Sequence, residues 1–331
     1  PVFQVLKNHA PHLEIDALTY RDTMPMLTLH PAISTIFSVD RNWKQQSIAS
    51  QLHNEWTLLR DLRARHYDLI VHLTEHPRGA WLKWFAGIRY GIAQELGSRV
   101  RPGWNRFTHF YVHQSGNRRH TVELNLDALR RIGLKPESEE SRLVLVPGLD
   151  EEIAIEAKLA QQGLIAKSFI HIHPTSRWFF KTWPTENFAE LISRLVTQGH
   201  KIVVTSASDA KEMTMVESIL SRVTGTVTDF SGQLSLKELA ALSARARLFV
   251  GVDSAPMHIA AAMQTPVVAL FGPSGEVEWT PWMVPHRLVL SIHPCRPCGR
   301  DGCGGSKVSQ CLTTLGVERV ESAIHDLLSA T

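Results

Sequence analysis

Phe249-Val-Gly-Val-Asp-Ser-Ala-Pro-Met-His-Ile-Ala-Ala-Ala-Met-Gln-Thr-Pro-Val-Val-Ala-Leu-Phe-Gly272 reads as strand, sharp turn, helix, strand. Leu248 to Val252 is an apolar run of strand length, and Asp253-Ser254 stands as a capping pair before the helix-forming residues 255–263. Pro256 falls in the first helical turn, where its missing N–H needs no partner. The N–H groups of that turn and the helix dipole favour a phosphate. Asp253, Ser254 and the backbone at Ala255 can hold a ribose or phosphate edge, and His258, one turn on, can add a donor. The same residues also suit a plain helix cap with a packed imidazole beside it.

A second segment shifts that balance. Ile170-His-Ile-His-Pro-Thr-Ser-Arg-Trp-Phe-Phe-Lys-Thr-Trp-Pro-Thr-Glu-Asn-Phe188 again runs from an apolar strand through a polar loop into a helix. Phe188, Leu191, Ile192, Leu195 and Val196 keep helical spacing there. Thr175, Ser176 and Lys181 therefore gather at the C-terminal end of another strand, the edge where open α/β sheets bind ligands. Two hydroxyls and a lysine suit a pyrophosphate, the lysine balancing charge that grows on a departing phosphate.

His173-Pro-Thr-Ser176, Lys181-Thr-Trp-Pro184 and Asn187-Phe-Ala189, followed by Gly251-Val-Asp-Ser-Ala-Pro-Met-His-Ile-Ala-Ala-Ala262 and Pro266-Val-Val-Ala-Leu-Phe-Gly-Pro273, resemble the donor-site half of the lipopolysaccharide heptosyltransferases, glycosyltransferase family 9. Asn105-Arg-Phe-Thr-His109, Gly116-Asn117 and Val122-Glu-Leu-Asn-Leu-Asp-Ala-Leu129 look most like the heptosyltransferase III branch. The resemblance implies an inverting transfer of a heptosyl group from ADP-heptose to an inner-core heptose of lipopolysaccharide, without metal or other cofactor. It implies Lys181, Thr175, Ser176 and the turn at Ser254 and Ala255 as the groups that stabilise departing ADP. Asp209, in Thr205-Ser-Ala-Ser-Asp209, falls where the family often holds a ribose, and serves equally as a helix cap. The sequence contains no Asp-x-Asp, no Walker loop and no Gly-x-Gly-x-x-Gly.

The 331 residues suffice for two domains, and 44% hydrophobic with 20% charged residues is ordinary globular usage. A net charge of +3 implies no nucleic-acid partner. No apolar run approaches the roughly 20 residues that span a bilayer, and no signal peptide opens the chain. The expectation is a cytoplasmic protein, in contact with the inner face of the inner membrane through its acceptor lipid.

The organisation reads as two halves divided near residues 147–166. Strand-like runs at 13–18, 67–73, 90–93 and 143–146 alternate with helical stretches at 46–66 and 121–134. Further runs at 168–173, 201–205, 248–252, 266–271 and 288–292 alternate with helices in the same way. The expected fold is α/β of the GT-B type, two Rossmann-like domains facing a central cleft. Residues 1–150 are then the acceptor domain and 165–315 the ADP-sugar domain. The last helix, 317–329, is expected to pack back toward the first domain.

Pro1-Val-Phe-Gln-Val-Leu-Lys-Asn-His-Ala-Pro11 looks like the family's first helix, so the preceding strand and its Gly-Asp-x-x-x-Thr-Thr-Pro loop are expected upstream of residue 1. In the resemblance that loop supplies the aspartate that acts as general base. Asp22 is the nearest acidic residue at hand, and helix capping is its expected role.

Arg78, Lys83, Arg89, Arg99, Arg101, Arg106, Arg118 and Arg119 concentrate basic charge in the first half, interleaved with Trp81, Trp84 and Trp104. Guanidinium groups grip phosphates in pairs of hydrogen bonds, and aromatic faces suit sugars or acyl chains. Arg78, Lys83, Arg99, Arg101 and Arg106 are the candidates for a phosphorylated acceptor. Cys295, Cys298, Cys303 and Cys311 share one Gly-rich loop, where four thiolates could hold zinc. Related loops serve no transfer chemistry, so no metal is expected. His171 reads as a loop or core residue rather than a ligand. Two other functions fit the same residues: a non-hydrolysing nucleotide-sugar epimerase, and a non-catalytic nucleotide- or oligosaccharide-binding protein.

Overall fold

A computed structural model describes residues 1–97, 101–112 and 118–330. The chain forms two compact units, Pro1–Arg142 and Leu143–Thr331. The break falls earlier than the sequence suggested. Residues 143–146 form no strand, and the Val146 carbonyl accepts instead from the Lys237 ammonium.

In the first unit the order is α1 (Val2–His9), β1 (Asp16–Tyr20), β2 (Thr35–Val39), α2 (Ile48–Ala64), β3 (Leu69–His72), α3 (Arg78–Phe85), β4 (Tyr90–Gln94), β5 (His109–Tyr111) and α4 (Thr121–Arg130). β1 pairs with β2, and β3, β4 and β5 form a second sheet in that order, all parallel. Ser47 caps α2 by accepting from the Ser50 N–H.

The second unit contains α5 (Leu149–Gln161), β6 (Phe169–His173), α6 (Thr185–Thr197), β7 (Lys201–Val204), α7 (Ala210–Leu220), β8 (Thr228–Asp229), α8 (Leu236–Arg245), β9 (Leu248–Val252), α9 (Ala255–Ala262), β10 (Val267–Phe271), α10 (Glu276–Trp279), β11 (His286–Leu290), α11 (Gln310–Thr313) and α12 (Val317–Ala330). Its parallel sheet has the order β11-β10-β9-β6-β7-β8. β6, β9 and β10 are buried along their whole lengths, which a parallel sheet achieves only with helices on both faces. On one face Ile170, Ile172 and Val250 meet Leu191, Ile192 and Leu195 of α6. On the other, Phe169 and Val203 meet Ile155 of α5 and Leu242 of α8.

From β6 the chain moves outward to β7 and β8, then returns to lay β9 on the opposite side of β6. The strand order thus reverses between β6 and β9, and that point in a doubly wound sheet is where its ligand crevice opens. Gly251 lies level with His173 across this seam, and a Cβ there would stand 2.9 Å from the His173 carbonyl oxygen. Only glycine allows the two backbones so close.

α12 turns Val317, Val320, Ile324, Leu327 and Leu328 into the cluster formed by α6 and the sheet. Its apolar stripe therefore belongs to the core of the second unit, whereas the sequence suggested packing toward the first. Ile324 is completely buried. Ile324→Ala should lower unfolding stability by about 3 kcal/mol in a denaturant titration, and a loss under about 1 kcal/mol would contradict this packing.

Candidate active site

The turn after β6 and the turn after β9 meet through one ion pair. Lys181 closes a short 3₁₀ turn, Phe179–Lys181, and Asp253 directly follows β9. Lys181 Nζ lies 2.6 Å from Asp253 Oδ2, across 72 residues of sequence. The Asp253 side chain is only 6% exposed and that of Lys181 23%. A carboxylate so buried needs a cation, and the pairing in turn aims the ammonium, which keeps two further N–H donors. The loop that carries Lys181 is pinned from below. Trp183, fully buried, donates its indole N–H to the Leu315 carbonyl at 2.9 Å, and Ser309 Oγ donates to the Phe180 carbonyl at 2.6 Å.

α9 begins at the same place, with Ser254 at its N-cap and no side chain accepting from its first turn. Ser254 Oγ turns back toward the Val252 carbonyl at 3.4 Å. Asp253 therefore does not cap the helix; its carboxylate is on Lys181. Ala255 is exposed, and the half-buried His258 ring packs edge-on to Trp279 with centroids 6.1 Å apart. Lys181 and Asp253 cancel in net charge. What remains to attract an anion is the spare ammonium donors and the positive end of α9.

The Thr175 hydroxyl is taken up by internal partners, whereas the Ser176 hydroxyl only accepts from the backbone and keeps its proton to donate. Thr175 is fully buried, and its hydroxyl donates to Glu212 Oε2 at 2.6 Å. With its one proton given to Glu212, Thr175 Oγ1 must accept from His173 Nε2, 3.2 Å away. His173 Nδ1 then accepts from the Thr205 hydroxyl at 2.9 Å, and Thr205 Oγ1 accepts from His171 Nε2 at 2.7 Å. His171 Nδ1 finally accepts from Ser243 Oγ at 3.2 Å. One direction of donation thus satisfies the row from α8 to α7 with both imidazoles neutral. Asp209 contributes at its end: it caps α7, accepting from Lys211 and Glu212 N–H at 3.0 and 3.3 Å, and so fixes Glu212. Asp209 acts here as a helix cap. Ser176 Oγ accepts from the Trp178 N–H at 3.2 Å and shapes the loop.

Sequence reasoning missed Glu212, Thr205 and Ser243. The available signal was His171 and His173 two apart in β6, hence on one face of the strand, in a core position that demands hydrogen-bonding partners. His171 is a core residue, as expected.

The basic residues of the first unit separate into different roles. Lys83 is buried and donates to the Ile88 and Arg89 carbonyls at 2.9 and 3.2 Å, so it serves the end of α3 and not an acceptor. Arg78 bonds Glu55 at 2.7 Å beside a cavity of about 170 Å³ at the C-terminal ends of β1 and β2, lined by Tyr20, Asp40, Arg41, Lys44, His76 and Arg78 among others. Burial, then the Arg78 and Lys44 cations, holds His76 below the usual imidazole pKa. Arg101 stands 3.8 Å from Glu75, and Arg106 lies over the Trp84 ring. Arg99 and Gly116-Asn117 lie outside the described residues. Trp104 is a core residue whose indole donates to the Gln94 carbonyl. Asp22 pairs with Arg41 at 3.2 Å instead of capping a helix.

The four cysteines are free thiols, Cys295 exposed and Cys311 buried, with burial raising the Cys311 pKa. Among the described residues no three His, Cys, Asp or Glu side chains stand together as a metal ion would require.

Two parallel-sheet units, the second with its strand order reversing between β6 and β9, give the architecture of the GT-B class of glycosyltransferases. Residues 55–308 match the model of glycosyltransferase family 9 (heptosyltransferase), and the chain belongs to that family. It is 34% identical over 284 residues to lipopolysaccharide heptosyltransferase 3 of Escherichia coli, covering 85% of this chain and 81% of that one. The crystal structure of a family 9 glycosyl transferase from Veillonella parvula superposes with a TM-score of 0.84 at 20% identity, over 100% of this chain and 92% of that one. E. coli heptosyltransferase WaaC with ADP-2-deoxy-2-fluoro heptose gives 0.70 at 16% identity, over 98% and 95%.

Both histidines of the row are fully buried, which pushes His173 down to about 3 and holds His171 well below its ordinary value, further lowered by His173. The unfolded chain takes up protons below about pH 6.5 while the native state does not, so stability falls as pH falls. Between pH 6.5 and 5, His173 alone should account for about 2 kcal/mol of loss. Urea titrations of His173→Asn should show a correspondingly shallower decline than the parent chain, and equal slopes would contradict neutral burial.

Proposed function

We propose that this chain transfers a heptosyl group from ADP-heptose to a heptose of the lipopolysaccharide inner core, with inversion at the anomeric carbon. The observation that carries the proposal is the Lys181–Asp253 pair beside the uncapped start of α9, at the point where the strand order reverses. Such a place suits a diphosphate, and the chain belongs to a heptosyltransferase family. The E. coli relative named lipopolysaccharide heptosyltransferase 3 and the WaaC complex with an ADP-heptose analogue support the choice of donor and acceptor.

In the reaction the acceptor hydroxyl oxygen attacks the anomeric carbon from the face opposite ADP. The new C–O bond forms as the bond to the diphosphate oxygen breaks, and the hydroxyl proton passes to a base. ADP departs with one more negative charge, which Lys181 and the N–H groups at Ser254 and Ala255 stabilise more in the transition state than before it. Thr175 and Ser176 set the backbone of the Lys181 loop, and Asp253 orients the ammonium. His258 borders the donor, and Asp209 acts through α7.

On the acceptor side, Arg78 and Arg101 with Lys44 offer cationic groups for a phosphorylated sugar, and the neutral His76 ring stands beside them. The acceptor is lipid-linked, so the enzyme works in the cytoplasm against the inner face of the inner membrane. Among the described residues no helix is long and apolar enough to cross a membrane, which suits a peripheral contact.

Lys181→Met should lower kcat with ADP-heptose and core acceptor by about 100-fold or more, the scale of losing one stabilising donor, while the variant stays folded by circular dichroism. Unchanged turnover would remove Lys181 from the mechanism. ADP release that does not depend on acceptor would remove the transfer itself.

A further inference from the structure

The outward face of α3 is aromatic where a surface helix ordinarily carries charge. Gly79, Ala80, Leu82 and Lys83 are buried, while Trp81, Trp84 and Phe85 are 40%, 47% and 48% exposed. The spacing of three and four residues puts these rings on one face, and they touch one another with centroids 4.9 to 6.0 Å apart. Three large rings left together in water are costly, and a contiguous apolar patch of this kind marks an interaction surface.

A cationic group borders the patch, and a second follows α3 in the sequence. The Arg106 guanidinium lies 3.3 Å above the Trp84 ring centroid, and Arg89 lies 5.1 Å from that of Tyr90, itself 42% exposed. Neither Arg89 nor Arg106 has an acidic partner among the described residues. Between residues 78 and 108 the sequence holds Arg78, Lys83, Arg89, Arg99, Arg101 and Arg106 against the single acid Glu95. The one lysine of α3 is turned inward onto carbonyls, so the face combines rings with guanidinium groups, which remain charged at any working pH.

We propose that this aromatic and basic face of α3 docks on the surface of a bilayer rich in anionic phospholipid. Tryptophan rings settle at headgroup depth, and cations above them meet lipid phosphates. A second copy of the chain is the poorer occupant, because a twofold contact would bring Arg89 and Arg106 against their own like charges. The functional value of the contact rests on the reading of a lipid-linked acceptor, since docking would bring the first unit to the membrane that holds it.

The test uses the full chain and sucrose-loaded vesicles of phosphatidylglycerol with phosphatidylethanolamine, or of phosphatidylcholine alone, none containing acceptor. The chain should sediment with the anionic vesicles at least tenfold more strongly than with the neutral ones, and lose that binding as salt rises. Trp81→Ala/Trp84→Ala should weaken it by at least tenfold, and Arg106→Gln by about fivefold, the scale for one basic residue near an anionic surface. Equal binding to both vesicle types, or equal binding by parent and variants, would overturn the proposal. So would a face whose aromatic variants change only the mass seen in sedimentation velocity, which would make it a contact between copies. Calorimetric ADP affinity of the aromatic double variant should equal that of the parent, so vesicle failure with intact ADP binding sinks the docking surface and leaves the transfer reading standing.

Discussion

The salt bridge between Lys181 and Asp253 is the constraint on which the second unit's crevice depends. Asp253 sits where β9 ends and the chain must turn into α9, with almost no exposure to water. A carboxylate there is tolerable only with a cation against it, and the cation comes from the adjoining strand's loop. The 3₁₀ turn, the buried Trp183 and the Ser309 hydrogen bond then act as one support that delivers Lys181 to the seam. Because Asp253 is occupied by Lys181, the start of α9 stays open. The same interaction that permits burial of the acid thus leaves helix N–H groups available for an anion.

Behind that pair the sheet carries a polar row where a doubly wound fold normally places aliphatic side chains. Ser243, His171, Thr205, His173, Thr175 and Glu212 pass hydrogen bonds in one direction from α8 across β6 and β7 to α7. Each member has its partner, the condition under which a buried polar network specifies a single arrangement instead of destabilising the core. Its last bonds fix the loop after β6, so the position of the turn that carries Lys181 depends on buried residues of this row.

Much of the second unit is legible in the sequence, since β9 and β10 are continuous apolar runs bounded by polar turns, β6 is one interrupted only by its two histidines, and all three lie close to the expected limits. Lys181 and Asp253 are each readable as candidate site residues from the turns they occupy. Their pairing is not, because strand order brings together positions 72 residues apart and no local pattern encodes that order. The hydroxyl of Thr175 looks like a ligand group in a linear reading, yet burial commits it to internal partners. The first unit is less legible. β5 has three residues, too few for a periodic signal, and β2 shows no clean alternation of burial. Lys83 illustrates the limit of reading charge from a sequence: a basic residue among other basic residues turns out to close the end of a helix.

The most direct test of this account is a crystal structure of the chain with ADP bound. The account predicts diphosphate oxygens within hydrogen-bonding distance of Lys181 Nζ and of the N–H groups at Ser254 and Ala255, with the Lys181–Asp253 contact retained. A diphosphate seated away from the seam between β6 and β9 would contradict it.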